Sequence, residues 1–309
     1  MKLPFDLPPI EKGGSPPVWT GNEFLLDGKS TKVLNYSSSE LGWKKELTDF
    51  HEVTAGENHF IDRASRQVAI KQLDRNMNNK TTVLLEVGCS SGAMLRAIKK
   101  RFSSATVIGS DCISEYLECL ASDLKGVPIL QFDMVKCPFP DASIDAVIML
   151  NVLEHIENDV EAVSQAYRIL KPGGKLILEV PAGPSLYDAY DKYLLHYRRY
   201  GMNGLRKLVC GSGFEVLHRS HLGFFFYPVF RLIKKGNQGN LKASSREHKK
   251  IVTKEIQRTE RNFLLSMVMN AEILLGRYVS YPFGIRCIMT CLKPQSSCYD
   301  SARRAPLVA

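Results

Sequence analysis

Between residues 82 and 180, short continuous apolar runs alternate with segments whose apolar residues fall at helical spacing. The runs are TVLLEV, ATVIGSD, VPILQFD, IDAVIML and GKLILEV; between them lie GAMLRAIKKRF, ISEYLECLASDL and DVEAVSQAYRIL. A strand that is apolar throughout is covered on both faces, and strands separated by helices form a parallel sheet. Downstream, GLRKLVCGSGFEVLHRSH predicts a helix, a glycine stop and a strand near 213–220, and GIRCIMTCL at 284–292 predicts a last strand. The pattern therefore predicts a doubly wound α/β fold, a mostly parallel seven-stranded sheet with a helical insertion before its final strand.

The same reading divides the chain. Residues 1–45 are rich in Pro, Gly and Ser without sustained periodicity and are expected to form an irregular arm. In HFIDRASRQVAIKQL the apolar spacing predicts a helix over 61–74, which makes 46–80 a helical lid ahead of a core at 81–220. The insertion occupies 221–280, the final strand 281–295 and a tail 296–309; no internal repeat is present.

Composition narrows the class. Of 309 residues, 44% are hydrophobic and 24% charged, as in an ordinary globular protein. Eight cysteines are scattered without a CxxC pair, several inside apolar runs, where a thiol acts as a small hydrophobe. Prolines interrupt the N-terminus before an apolar signal region can form, and no window reaches the roughly 18 apolar residues of a membrane span, so a cytoplasmic protein is expected. The net charge is +9, and 231–261 alone, with ten Lys or Arg against three Glu, carries +7 of it.

Chemistry is concentrated at the ends of the predicted strands. In LLEVGCSSGAML, residues 84–95, the first strand runs into a turn with Gly88 and Gly92 and then into a helix. Absent Cβ atoms let a ligand approach the backbone there, and the helix N–H groups face it. The spacing is E-x-G-x-x-x-G rather than G-x-G-x-x-G, which disfavours a pyrophosphate-binding dehydrogenase. Asp111 closes the second strand, where a carboxylate can accept from both ribose hydroxyls; Asp133 closes the third, where it can accept from an adenine amine while Met134 packs on the ring. Three such strand ends describe an adenosine pocket without a phosphate requirement.

These stretches resemble the class I S-adenosylmethionine-dependent methyltransferases: LLEVGCSSG is similar to that family's cofactor loop, VIGSD to its ribose acid, FDMVKCPFPDASIDAVIMLNVLEHI to its adenine and post-strand-four segment, and LKPGGKLILEVP to its turn into strand five. The resemblance covers about 80–220 and the last strand. It implies the cofactor S-adenosyl-L-methionine, held by Glu86, Gly88, Ser90, Gly92, Asp111, Cys112, Asp133, Met134 and Asn151. Gly88, Ser90 and Gly92 would cradle the amino-acid end. Ser90 stands where the loop commonly has its middle glycine.

Methyl transfer from a sulfonium is an in-line displacement, so the protein must align the acceptor and take its proton if that acceptor is a hydroxyl. His155, in NVLEHIEND after strand four, suits a general base and equally suits a loop cap. YDAYDKYLLHYRRYG carries Asp191, His196, Arg198, Arg199 and Tyr200, and resembles the D-x(4)-H-x-R-R-Y signature of a subgroup associated with glycan and lipid-linked sugar biosynthesis. His196 is therefore a second catalytic candidate; Asp191, Arg198, Arg199 and Tyr200 would bind an anionic or hydroxylated substrate, or else form a structural lattice. His51, Glu52 and His59 match no dedicated metal site, and Cys287 and Cys291 read as core, so no metal is expected.

The insertion joins the apolar run LGFFFYPVF to basic residues, a pairing that suits contact with an anionic bilayer through 222–261, cover for a lipid-like substrate, or simple packing on the sheet. Nucleic acid is disfavoured: the aromatics are contiguous rather than interleaved with the cations, and strand four ends without an N-P-P-F/Y motif. The expected activity is methyl transfer to a small-molecule, glycan or lipid-linked acceptor, at oxygen. The alternatives are an RNA methyltransferase using the basic insertion and a non-catalytic cofactor-binding scaffold.

Overall fold

The computed structural model of the chain describes residues 2–37, 59–75, 82–114, 116–259 and 263–295. Four short strands come first: β1 (Val18–Trp19), β2 (Phe24–Leu26), β3 (Lys29–Thr31) and β4 (Val33–Asn35). Helix α1 (Phe60–Asp74) leads into the alternating region of β5 (Val83–Val87), α2 (Ala93–Arg101), β6 (Thr106–Asp111), α3 (Leu117–Asp123), β7 (Ile129–Gln131), β8 (Ile144–Leu150), α4 (Asp159–Ile169) and β9 (Leu170–Pro181). Then follow α5 (Ala189–Tyr193), α6 (Met202–Gly211), β10 (Glu215–Leu222), the insertion helices α7 (Tyr227–Gln238), α8 (Ser245–Thr259) and α9 (Phe263–Leu275), and β11 (Arg286–Leu292).

The main sheet runs β10-β11-β9-β8-β5-β6-β7-β4. From β9 to β4 every pairing is parallel, whereas β11 lies antiparallel between β9 and β10. The seven expected strands are all present, and β4 adds an eighth at the far edge. The chain winds from β5 outward through β6 and β7, then returns to lay β8 and β9 on the other side of β5. That reversal opens a crevice at the carboxyl ends of β5 and β8, the usual ligand position in an open α/β sheet.

Alternate residues of β5 feed opposite faces, as the two-residue period of a strand requires. Val83, Leu85 and Val87 join a core beneath α4 and α6, while Leu84 joins the one beneath α1, α2 and α3. Both faces are dry, which accounts for the unbroken apolar runs. A third cluster joins Ile61 and Ala64 of α1 to Leu222, Ile288 and Met269, and so seats α9 beside the end of the sheet.

Of the stretch 1–45, expected to be an irregular arm, residues 2–37 are described and contain strands. Within 2–37, β1, β2 and β3 form a small antiparallel sheet and β4 joins the main one; Trp19, Phe24 and Leu34 are buried. Strands of two or three residues are too short to show a period. A usable signal was nonetheless present: Asp27 and Gly28 both take positive φ, 48° and 78°, between β2 and β3, the conformation for which an Asp-Gly pair is preferred in a two-residue hairpin turn. The insertion is helical as expected, and no helix among the described residues is long and apolar enough to cross a membrane.

Candidate functional site

The turn after β5 is built around left-handed backbone. Gly88 has φ 77°, and a Cβ added there would collide with a methyl of Val152. Its N–H and that of Cys89 donate to the Ser110 carbonyl at 2.8 and 2.9 Å, locking the turn onto the end of β6. Gly92, at φ 81°, caps α2, and a Cβ there would run into Leu120 of α3. Ser90 also has positive φ, 42°, in the region that favours glycine. Its N–H donates to Asp111 Oδ2 at 3.0 Å, while Ile113 N–H donates to Oδ1 at 3.2 Å, so the loop and the next strand end are fixed by one carboxylate.

A cavity of about 1100 Å³ opens over these strand ends. Glu86, Gly88, Ser90, Asp111, Cys112, Asp133, Met134 and Asn151 line it; Gly92 does not, and its role is to shape the turn. Asp133 Oδ1 accepts from Val135 N–H at 3.0 Å, which leaves the other oxygen for a ligand, and Met134 beside it is buried. Asn151 takes φ 54°, a conformation asparagine tolerates, and its Nδ2 donates to Glu179 Oε1 at 3.2 Å. Glu86 is 6% exposed, and its Oε2 is buried without a hydrogen-bond donor among the described residues. Burial first, then the charge of Asp111, pushes its carboxyl well above the ordinary range. Burial also raises Asp111, against the N–H groups of Ser90 and Ile113. Two buried carboxylates at one cavity wall, Glu86 with an oxygen that lacks a donor among the described residues, suit a ligand bearing hydroxyls and a cation, as S-adenosylmethionine does.

The opposite wall comes from the 3₁₀ turn Leu153–His155, from α5 and the segment after it, and from α7. His155 and His196 meet edge to face, with ring centroids 4.6 Å apart. His196 Nδ1 lies 2.8 Å from Asp191 Oδ1, and Arg199 Nη1 donates to the same oxygen at 2.9 Å. Lys234 of α7 reaches in to donate to Asp188 Oδ1 at 2.9 Å and stands 3.9 Å from Asp191 Oδ2. Asp188, Asp191 and Lys234 are all buried. Burial works against ionisation of Asp191, but the hydrogen bond from His196 and the charges of Arg199 and Lys234 hold its carboxyl below the usual range. Burial lowers His196, with Asp191 pulling the other way. The ring is then neutral near pH 7; because an ionised Asp191 can only accept, the proton sits on Nδ1 and Nε2 is the lone-pair nitrogen.

The D-x(4)-H-x-R-R-Y residues, expected to bind a substrate or to form a structural lattice, all have partners within the fold. Asp191 is fully buried and behind the cavity wall, holding His196 and Arg199. Arg198 turns away to Asp159 and the Glu157 carbonyl, each at 2.7 Å. The Tyr200 hydroxyl lies 2.8 Å from Asp159 Oδ2 and 3.2 Å from the Leu153 carbonyl. Arg199 lines the cavity but donates to Asp191 and to the Ala182 carbonyl. The lattice alternative describes these four residues.

Several cavity residues had no place in the sequence reading. Arg286 of β11 donates to Glu179 Oε1 and Ser65 Oγ at 2.8 Å and to Asp62 Oδ1 at 2.6 Å, pinning α1 to the sheet beside the cavity. Glu154 is 1% exposed, and burial pushes its carboxyl up to about 8. Lys234 had a readable signal: Tyr227, Phe230 and Lys234 share one face of α7, and a lysine on an apolar helix face is seeking a buried partner. It was counted instead with the net positive charge of 231–261. Of the weighed metal trio, His59 lines the cavity rim, 3.8 Å from Asp62, while His51 and Glu52 lie outside the described residues. Cys287 and Cys291 are core residues.

Residues 85–178 match the family model described as a methyltransferase domain. A relative from Mycolicibacterium smegmatis, named as an S-adenosylmethionine-dependent methyltransferase, is 29% identical over 138 residues, 43% of this chain and 52% of its own length. A demethylmenaquinone methyltransferase from Tropheryma whipplei is 30% identical over 141 residues, 44% of this chain and 57% of its own. The chain thus spans about half the length of these curated relatives. The solved phosphoethanolamine N-methyltransferase 2 of Haemonchus contortus, in complex with S-adenosyl-L-methionine, shares the fold with a TM-score of 0.51 at 17% identity, over 81% of this chain and 60% of that one. The architecture is the Rossmann-like methyltransferase fold, and the cofactor of this domain is S-adenosylmethionine.

Proposed function

We propose that the protein transfers a methyl group from S-adenosylmethionine to a hydroxyl of a lipid-linked or glycan-linked acceptor. The observation that carries this reading is a single cavity with two chemically distinct ends. At one end Glu86, Asp111 and Asp133 offer carboxylate oxygens to a cationic, hydroxylated adenosine ligand; at the other, His155 and His196 converge with Nε2 of His196 as an acceptor. Transfer from a sulfonium needs alignment and, for a hydroxyl, removal of a proton; the histidine end supplies the second requirement.

Helix α7 favours a lipid-linked acceptor. Its Phe230, Ile233 and Lys234 line the cavity, while Val229 and Leu232 are 62% and 72% exposed beside the exposed Arg231 and Lys235. One helix therefore offers an apolar, cationic outer face and a wall of the acceptor end, which is what drawing a headgroup from an anionic bilayer surface requires. The similarity to a demethylmenaquinone methyltransferase agrees with an apolar acceptor.

The test incubates the protein with cofactor labelled in its methyl group and a cell extract, then separates lipid, glycan, RNA and protein fractions. Label in the lipid or glycan fraction, stable to acid as an ether, is the expected result. Label in RNA would make the basic insertion a nucleic-acid surface instead. Cofactor bound but no label in any fraction would leave a scaffold. In parallel, flotation with vesicles containing phosphatidylserine should carry the protein up, and Leu232→Asp should abolish the flotation.

A further inference from the structure

Glu154 raises a question the cofactor reading does not answer. It is a buried carboxylate whose Oε2 has no hydrogen-bond donor among the described residues, and it lies at the cavity wall next to two histidines. One ligand-type atom from each of Glu154, His155 and His196 lies within 4.8 Å of the others. Metal–ligand bonds of about 2.0–2.2 Å place tetrahedral ligand atoms roughly 3.4 Å apart, so a modest side-chain contraction brings all three onto one ion.

We propose that Glu154, His155 and His196 form a site for a divalent transition-metal ion at the acceptor end of the cavity. The support around the ligands fits that use. Asp191 holds Nδ1 of His196 at 2.8 Å, the carboxylate–histidine arrangement that fixes a metal-binding tautomer and turns Nε2 toward the ion. Asp191 is itself fixed by Arg199 and Lys234, so the imidazole is oriented before any ion arrives. Two imidazoles and one carboxylate are the donor set of open zinc sites, and they also accept manganese. All three residues line the cavity, so the remaining coordination position faces the acceptor.

The chemical consequence rests on the proposed oxygen methylation. An acceptor hydroxyl bound to the ion is acidified and releases its proton to water. Its oxygen then bonds to the methyl carbon as the carbon–sulfur bond breaks, and S-adenosylhomocysteine leaves. The histidines act as ligands in this scheme, and the ion does the work otherwise assigned to a base.

The experiment strips the full chain with chelator, equilibrates it with Zn²⁺ and, separately, Mn²⁺, and counts bound metal by mass spectrometry. Close to one ion per chain is expected for a single three-ligand site. His155→Ala and Glu154→Gln should each weaken binding at least about tenfold, the scale of a lost metal ligand or its support. Their affinity for S-adenosylmethionine should stay at the wild-type value, which separates ligand loss from misfolding; His218→Ala, away from the cavity, should keep its metal. Co²⁺ at the site should give visible absorption bands that His155→Ala removes. Absence of stoichiometric metal in the wild type, or wild-type stoichiometry in both variants, overturns the site. Labelled methyl transfer that persists in chelator leaves the enzyme and removes the metal; bound metal without transfer to any fraction keeps the site and removes oxygen methylation.

Discussion

The two ends of the cavity are assembled by different physics. The cofactor end is local: a strand, a tight turn and a helix place Glu86, Gly88 and Ser90 within five residues, and Asp111 and Asp133 are single side chains on the next two strand ends. The acceptor end is long-range. Its histidines are held by a buried lattice in which Asp188, Asp191, Arg199 and Lys234 come from α5, the segment after it and α7. The first end is written into one strand-turn-helix unit, whereas the second depends on Lys234, which the insertion brings 46 positions back to Asp188.

If that contrast holds, the largest effect on folding lies at the acceptor end. Asp191→Ala leaves Arg199 and Lys234 buried with less compensation, and breaking a buried ionic lattice costs about 3–5 kcal/mol. Chemical denaturation should show that loss, while Asp191→Asn, which keeps volume and one acceptor, should recover part of it. An Asp191→Ala chain as stable as the wild type would mean that water already reaches the lattice.

Asp111→Ala should act on binding instead. The Ser90 and Ile113 N–H groups it releases can turn to water in the cavity, so stability should fall by only about 1 kcal/mol. Loss of a charged acceptor for the ribose hydroxyls should weaken S-adenosylmethionine about 10- to 100-fold by calorimetry, from the roughly 1.5–3 kcal/mol of charge-assisted hydrogen bonds. The contrast between the two ends breaks if Asp111→Ala unfolds the domain or Asp191→Ala changes only affinity.

Gly88→Ala tests how local the cofactor end is. At φ 77° an alanine pays about 1–2 kcal/mol in backbone strain, and its methyl meets Val152. The double change Gly88→Ala with Val152→Ala should relieve the collision and leave the strain, so thermal melting should show the pair to be less damaging than the sum of the singles. Additive losses would mean that the two positions do not touch.

How much was legible follows the same division. The parallel core could be read because both of its faces are dry, which leaves unbroken apolar runs, and the residues of the cavity's first wall because most sit at strand ends that the runs locate. The lattice could not, since nothing in the order of residues brings Lys234 to Asp188, 46 positions away, or Arg286 to Asp62, 224 away. Charges on a sequence look alike whether they face solvent or one another. Asp191 and Arg199 were noticed as part of a motif, but substrate binding and a lattice stayed open for them, because a cluster of His, Arg and Tyr has the same composition in either role. The short strands of 18–35 were missed for want of a period, although Asp27-Gly28 marked their turn.

The smallest expected effect concerns Ser90. A non-glycine residue at φ 42° carries a left-handed cost on the order of 1 kcal/mol, and glycine there gives back part of that gain through its freer unfolded chain. Ser90→Gly should therefore raise stability by only a few tenths of a kcal/mol, a melting shift of about 1–2 °C for a domain of this size. Since the contact to Asp111 is made by the backbone N–H, which glycine keeps, cofactor affinity should be unchanged. A melting point that falls on Ser90→Gly would show that the serine side chain holds the loop more firmly than its backbone strains it. The turn would then owe its shape to this chain's own side chain, and the cofactor end would be less generic than its strand-turn-helix frame implies.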